Sequence, residues 1–460
     1  MNITVVGAGY VGLVAAACLA KFGHKVICVE RDRARVASIA AGNCPFFEPG
    51  LPELLRSMIR KNSLRITSDM TDAVRSARAI FIAVGTPSKP DGSADIGQVL
   101  DCAFQAAADA SAGTVIVVKS TVPVGTSKAV LRMVRAGRAA NRLSVVSNPE
   151  FLREGSAVKD FEEPDRIVVG LRDNNARDVM REIYEPLTRR GCILLETSCE
   201  NAELIKYASN AFLALKVTFA NELADLCEAV RGDIEDVTKG IGLDSRIGPK
   251  FLKPGPGFGG SCFPKDTRAL AVAGERHGAR QTLVERVVAA NEDRKVKVAQ
   301  RILALLGPAP GGKCVCIWGI AFKANTDDIR EAPALTIIRH LEAAGVRVRA
   351  HDPEAMEAAK EVLPATEFFD TPEAAAEGTD LIAVLTEWAV YKSVAFASLA
   401  EVVKRRVIVD FRNIVPKNVV TTAGFQLVLV GSGVHQPIPA TGMSRSMSKR
   451  GEQALPASSL

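Results

Sequence analysis

The segment GPGFGGSCFPKD, residues 255–266, sets one thiol, Cys262, on a glycine-packed turn with Lys265 and Asp266 just behind it. Glycines let a backbone fold closely around a ligand, and a nearby cation favours thiolate over thiol. The turn is therefore expected to lower the Cys262 pKa from its ordinary value of about 8.5. Taken alone, the same turn also suits a small residue that merely packs. A second constellation stands at the start of the chain, where GAGYVG (Gly7, Gly9 and Gly12, with Tyr10 and Val11 between them) follows an apolar run and opens an Ala-rich stretch. Gly7 permits a tight turn, Gly9 lets the backbone approach a pyrophosphate, and Gly12 lets helix and strand pack closely. The next apolar run ends at Glu30, where an acid can hydrogen-bond a ribose diol and repel a 2′-phosphate, which favours NAD over NADP.

A dinucleotide site combined with a nucleophilic cysteine points to one route. A thiol captures an aldehyde as a thiohemiacetal, a second hydride transfer leaves a thioester, and water releases a carboxylate. Lys206 and Asn210 lie four residues apart on one helical face, where a cation and an amide can stabilise an oxyanion on the reacting carbon. A solvated polar edge is the plainer alternative for that face.

Elements that hold such groups are visible in the hydrophobic pattern. Short β-branched runs (Ile3 to Val6, Lys25 to Val29, Ala79 to Val84, Val115 to Lys119 and Leu143 to Ser147) alternate with helical segments, which predicts a doubly wound α/β region with a parallel sheet. Cys199 to Val230 contains neither proline nor glycine and repeats apolar residues at helical spacing, predicting one long helix, while the Gly/Pro-rich stretch 248–260 must be a loop. After Gly311 the alternation returns with Cys314 to Ile317, a helix over about 334–344, then Val346 to His351, Leu381 to Leu385 and Val407 to Asp410. A second α/β region is expected there, without a glycine fingerprint after its first strand.

At 460 residues and 47% hydrophobic composition, the chain is long enough for two or three domains. The formal charge of +6 is dispersed, with no basic stripe interleaved with aromatics, so nucleic acid is not an expected partner. No uninterrupted apolar segment is long enough to cross a membrane, and the strand-like start leaves no room for a secretory leader, so a cytoplasmic protein is expected. The ten cysteines form no CxxC pair and the five histidines are scattered; reduced thiols and no metal are expected.

Ten ordered segments together resemble the UDP-glucose/GDP-mannose dehydrogenase family over nearly the whole chain. They are GAGYVG, FEPGL (47–51), GTPSKPDGSAD (85–95), KSTVPVGT (119–126), NPEFLREG (148–155), ELIKYASNAF (203–212), RIGPKFLKPGPGFGGSCFPKD (246–266), GIAFKANTDDIRE (319–331), HDP (351–353) and TEW (386–388). The resemblance implies two Rossmann-like domains, the first for NAD and the second for a UDP-sugar, joined by the long helix as the core of a homodimer or a multiple of it. The boundaries it suggests are 1–198, 199–300 and 301–435, with a tail over 436–460 that forms no packed core. It implies oxidation of UDP-glucose to UDP-glucuronate, with GDP-mannose or a UDP-N-acetyl-hexosamine as the alternative substrate.

The same resemblance carries the nucleophile onto Cys262 and the oxyanion and acid/base roles onto Lys206 and Asn210. Thr121, Glu150, Glu154 and Asp266 match residues that position water or act as base, without saying which glutamate is the base. For the cofactor it adds Arg35, Thr86, Thr121, Glu154, Lys265 and Arg330 to the glycines and Glu30. For the sugar nucleotide it points to Glu150, Phe151, Leu152, Arg153 and Glu154, to Phe251, Leu252, Lys253, Gly257 and Gly259, and to Lys323. Arg246 matches an arginine that reaches the substrate of a neighbouring subunit. Two departures from the family pattern stand out: Glu30 replaces a common aspartate, and Phe411 replaces a glycine beside Arg412. A two-electron hydroxyacid dehydrogenase would share the dinucleotide half and need no cysteine, and a nucleotide-sugar sensor would have little need for the thiol.

Overall fold

The computed structural model describes residues 1–136 and 143–437; most of the expected tail, from 438 onward, lies outside the described residues. The first sheet has eight strands: β1 (Asn2–Val6), β2 (Lys25–Val29), β3 (Leu64–Thr67), β4 (Ala79–Ile82), β5 (Val115–Val118), β6 (Ser144–Ser147), β7 (Ile167–Gly170) and β8 (Leu194–Thr197). Their order is β3-β2-β1-β4-β5-β6-β7-β8, parallel throughout except where β6 meets β7. Nearly unbroken Val/Ile runs such as AIFI in β4 and VIVV in β5 are buried on both faces, as a sheet covered by helices on two sides requires.

The second sheet repeats the plan with β9 (Cys314–Trp318), β10 (Arg347–His351), β11 (Glu367–Phe368), β12 (Leu381–Val384), β13 (Val407–Asp410), β14 (Gln426–Leu429) and β15 (Gly433–His435). The order is β11-β10-β9-β12-β13-β14-β15, with only β15 antiparallel. Both sheets thus reverse direction beside their first strand, which opens a crevice at the strands' carboxyl ends. Several expected strands end one or two residues earlier than their apolar runs, and Lys119 falls just beyond β5.

Between the sheets runs the helix Cys199–Val230, 32 residues or about 48 Å long, bounded as the sequence predicts. The Ser198 hydroxyl caps its start by accepting from the Asn201 N–H. Its first turn is pressed so tightly on β7 that a Cβ at Gly170 would stand 2.5 Å from the Cys199 Cα. Its last turns, through Ala224 and Cys227, enter the core of the second sheet. The helices Phe263–Arg276 and Thr282–Leu306 pack beside it through Tyr207, Ala211, Ala269 and Leu270 and through Ala214, Phe258 and Val287. Along its outer side, Leu204, Phe212, Phe219, Leu226 and Val230 remain exposed, three of them seven residues apart. Among the described residues no helix is long and apolar enough to cross a membrane.

Candidate active site

At the carboxyl end of β1 the three fingerprint glycines do three different jobs. Gly7 has a φ of 103°, and a Cβ there would lie 2.6 Å from the Ala83 carbonyl oxygen; at Gly12 it would lie 1.9 Å from that of Gly7. At Gly9 an added Cβ meets nothing within 4 Å, so the open space at this turn is at the position where a pyrophosphate must approach. The helix Tyr10–Lys21 begins immediately after, with Val11 packed on the core. Glu30 accepts from the Ala8 N–H (3.3 Å) and the Asp32 N–H (3.1 Å) and stays partly exposed beside the turn. Across the crevice the Thr86 hydroxyl donates to the Thr121 carbonyl (2.9 Å), joining the loops after β4 and β5. Arg35 lies on the helix that follows Glu30. These groups fit an NAD molecule.

Cys262 is the residue before the helix Phe263–Arg276, and its carbonyl accepts the Asp266 N–H (2.8 Å). The glycines ahead of it are required by close approach: a Cβ at Gly259 would lie 2.4 Å from the Glu331 carbonyl oxygen, and one at Gly260, where φ is 82°, 2.8 Å from the Phe322 ring. The face of the long helix that carries Lys206 and Asn210 is buried, which removes the reading of a solvated polar edge. Asn210 Nδ2 donates to Asp266 Oδ2 (2.6 Å), whose other oxygen accepts from Lys265 Nζ (2.6 Å). Lys206 Nζ pairs with Glu150 Oε1 at 3.0 Å with both side chains nearly inaccessible, and Glu150 Oε2 accepts the Leu152 N–H. Burial works against the Lys206 ammonium, but Glu150, Cys262 and Asp266 outweigh it and hold the pKa above its ordinary value.

The thiol itself contradicts the expectation drawn from Lys265. Burial pushes Cys262 up to about 11, the Glu150 and Asp266 carboxylates push the same way, and only Lys206 and the Ser261 hydroxyl oppose them. Lys265 is spent on Asp266, so the resting protein holds a thiol rather than a thiolate. Ser261 Oγ lies 3.5 Å from Cys262 Sγ and donates to Glu154 Oε1 (3.0 Å). Glu154 in turn meets the second sheet's loop through Thr326 Oγ1 (3.4 Å) and Arg330 (3.5 Å). Burial and the neighbouring Asp328 raise its carboxyl to about 7, against the pull of Arg330.

One cavity of about 710 Å³ brings together Glu150, Phe151, Leu152, Arg153 and Glu154 with Lys206, Asn210, Phe251, Gly259, Cys262 and Lys323. Phe151 stacks under the Arg166 guanidinium at 3.8 Å and faces Lys206 at 5.2 Å. Leu252 is buried outside this lining, and Gly257, with φ 123°, is packed against Asn291. Lys253 is exposed, and Arg246, paired with Asp244, points its side chain to solvent, 87% exposed. Phe411, the residue that departs from the family pattern, is buried in the core, while Arg412 turns back to donate to the Leu385 (2.8 Å) and Phe322 (3.0 Å) carbonyls beside the glycine-rich loop.

Several supports were not foreseen. Glu48 is buried, accepts from the Gly155 (2.6 Å) and Ala157 (2.7 Å) N–H groups and from the Tyr10 hydroxyl, and so ties the fingerprint helix to the NPEFLREG loop. Glu203 accepts from Gly125 N–H, Ser127 N–H and Ser127 Oγ, fixing the loop after Thr121 to the long helix. Asn221, Asn291 and Arg294 hold the backbone of Gly255 and Phe258. The Glu203–Lys206–Asn210 spacing was the available signal; Asn291 and Arg294 lie in the charged run NEDRK, which gave none.

Sequence models of the UDP-glucose/GDP-mannose dehydrogenase family match in three parts: the NAD binding domain over residues 1–188, the central domain over 200–293 and the UDP binding domain over 316–417. The UDP-glucose 6-dehydrogenase of Rhizobium meliloti (strain 1021) is 46% identical over 434 residues, 94% of this chain and 99% of its own length. That of Pseudomonas aeruginosa is 43% identical over 90% of this chain and 94% of its own. Among solved structures, a UDP-glucose dehydrogenase from Pyrobaculum islandicum superimposes with a TM-score of 0.84 at 38% identity, covering 90% of this chain and 94% of its own. A UDP-D-ManNAc dehydrogenase from Pyrococcus horikoshii shares the fold at a TM-score of 0.83 but only 24% identity, over 94% of this chain and 100% of its own. With the glycine turn, the buried lysine–carboxylate face and the cysteine loop meeting as described, the chain belongs to the UDP-glucose/GDP-mannose dehydrogenase family, and its first domain binds NAD.

Proposed function

We propose that this protein oxidises UDP-glucose at C6 to UDP-glucuronate, through a thiohemiacetal and a thioester on Cys262. The observation that carries the reading is the convergence of Cys262, Lys206, Asn210 and the Glu150 carboxylate on one cavity between a dinucleotide turn and a second α/β sheet. NAD⁺, when bound, accepts one hydride in each of the two oxidations. In the first, the alcohol loses its proton to a neighbouring base and becomes an aldehyde. The Cys262 thiol adds across the C=O, its hydrogen ending on the new hydroxyl, which keeps the step balanced without a resting thiolate. The thiohemiacetal hydroxyl then gives its proton to a neighbouring base as a second hydride departs, which leaves a thioester, and water returns the thiol and a carboxylate. Lys206 Nζ, anchored by Glu150, and Asn210 Nδ2, anchored by Asp266, are the donors for the oxyanion in each step. Glu154, raised to about 7 and one hydroxyl away from Cys262, is the carboxylate suited to take the proton of the attacking water.

UDP-glucose is preferred because the relatives that carry that name match over nine-tenths of this chain or more at 43% and 46% identity. The UDP moiety belongs with Lys323, Phe251 and the glycine-rich loop, Thr121 and Thr86 with the cofactor, and the domain divisions 198/199 and 300/301 with the same reading. The exposed Phe212, Phe219 and Leu226 stripe is proposed to be covered by a second copy, with Arg246 reaching the partner's site. The decisive measurement is NADH formed per UDP-glucose consumed. A ratio of two, lost in Cys262→Ser, is expected; a ratio of one overturns the thioester route, and absence of turnover overturns the substrate.

A further inference from the structure

Among the described residues the hydrogen-bond partner of Cys262 Sγ is the Ser261 hydroxyl, at 3.5 Å, and the same hydroxyl donates to Glu154 Oε1 at 3.0 Å. Sulfur, hydroxyl and carboxyl therefore stand in one row. The backbone ahead of Ser261 is clamped to the second domain: the Gly260 N–H donates to the Arg330 carbonyl (2.8 Å), and a Cβ at Gly259 would meet the Glu331 carbonyl oxygen at 2.4 Å. Glu154 meets the same loop through Thr326 Oγ1 (3.4 Å) and Arg330 (3.5 Å). One loop, residues 326–331, thus sets the hydroxyl and the carboxyl against each other. When a thioester on Cys262 breaks, its sulfur leaves as an anion in a place where burial disfavours one. Such a thiolate departs slowly unless a proton reaches it.

A serine hydroxyl carries one hydrogen and can accept another. While Glu154 is ionised, that hydrogen points to it and the thiol S–H points to Ser261 Oγ. Once Glu154 has taken the proton of the attacking water, the carboxyl O–H points to Ser261 Oγ and the Ser261 hydrogen turns to sulfur. We propose that Ser261 is a catalytic proton relay that returns the water's proton from Glu154 to Cys262 as the thioester breaks. The water oxygen bonds to the carbonyl carbon as its proton passes to Glu154. The C–S bond then breaks with its electron pair going to sulfur, while Ser261 gives its hydrogen to sulfur and takes the one on Glu154. Water and thioester go in, thiol and carboxylic acid come out, the acid loses its proton to solvent, and Glu154 is ionised again for the next turnover. This inference rests on the reading of the site as a thioester-forming dehydrogenase, which the NADH ratio of the wild type tests separately.

The experiment is a rapid-quench time course of Ser261→Ala with UDP-glucose and NAD⁺, following NADH and, by intact mass after acid quench, the adduct on Cys262. A burst of two NADH per active site is expected, followed by slow turnover with a UDP-glucuronyl adduct on nearly every Cys262. Loss of a proton donor lowers kcat by about 100-fold. Because the oxidations precede the slowed step, kcat/KM for UDP-glucose is expected to stay within about twofold of wild type. In a Glu154→Gln background, Ser261→Ala is expected to cost nothing further, since the relay then has no proton to carry. Ser261→Gly, which also removes the hydroxyl, decides the matter should Ser261→Ala not fold. A folded variant without the hydroxyl that turns over like wild type overturns the proposal. So does one that slows without the burst, or one whose loss is undiminished in the Glu154→Gln background.

Discussion

The two sheets are built to one plan, and they use the same corner of it in opposite ways. In each, the first strand ends in a glycine turn and the second in an acid: Gly7 and Glu30 in one, Gly319 and Asp352 in the other. Glu30 accepts two backbone N–H groups and remains partly exposed. Asp352 is fully buried and accepts five donors, from the Ile320, Ala321, Glu354 and Ala355 backbones and from Trp388 Nε1. Gly7 and Gly319 are both closed to a Cβ, but two residues on, the corners differ: around Gly9 there is open space, whereas the buried Ala321 stands at the matching place in the second sheet. The second domain has satisfied its acid internally and filled its turn. A repeated topology thus yields one dinucleotide site, and function follows the chemistry of the corner rather than the strand order.

Glycine substitutions break this contrast most severely. Gly12→Ala drives a methyl group into the Gly7 carbonyl and must displace the turn, so NAD affinity is expected to fall by at least about 100-fold, measured by titration calorimetry. Gly319→Ala, strained at φ 97° and blocked by Thr386, is expected to lower the melting temperature while leaving NAD affinity unchanged. Equal losses of NAD affinity in both would show that the second turn also serves the cofactor.

The acids sharpen it. Asp352→Ala strands four backbone donors and the Trp388 indole in a buried place, at a cost of about 4 kcal/mol in urea unfolding. Glu30→Ala is expected to cost less, about 1 kcal/mol, because it strands one buried donor, the Ala8 N–H, while the Asp32 N–H lies on an exposed residue. Its effect belongs in the KM for NAD, which should rise about tenfold for the loss of a charge-assisted ribose contact. A stability loss for Glu30→Ala as large as that for Asp352→Ala would erase the distinction between a binding acid and a structural one.

How much of this was legible in the sequence depended on whether a residue's partners were local. The long helix was read to the residue because nothing in 199–230 interrupts it. The fingerprint turn was legible because its requirements lie within a few residues. The strands β3, β7, β8, β11, β14 and β15 went unread, being two to four residues long with no strong β-branched run in several of them. Glu48 was quoted within a motif but given no role, since its backbone partners Gly155 and Ala157 lie more than 100 residues away. The Cys262 thiol was misread for a related reason: the adjacent cation is Lys265, but the one that reaches the sulfur is Lys206, from the long helix.

Glu154 is where the two regions meet, and it gives the smallest of the expected effects. Its carboxyl comes from the first domain and is hemmed in by Thr326, Asp328 and Arg330 of the second. Burial first, then Asp328, raise its folded pKa to about 7, above the value near 4.5 at which it titrates when exposed. A raised pKa means that the folded protein holds the proton more tightly than the unfolded chain. The associated stability is therefore fully present below about pH 4.5 and is lost as the pH climbs through about 7. Stability measured by denaturation across pH 5–8 should include a decline that Glu154→Gln, neutral at every pH, flattens. Since Arg330 offsets part of the charge, the decline is expected to be modest. A Glu154→Gln profile parallel to wild type would mean that Arg330 compensates the ionised carboxyl in full, and that the junction between the two domains does not sense pH.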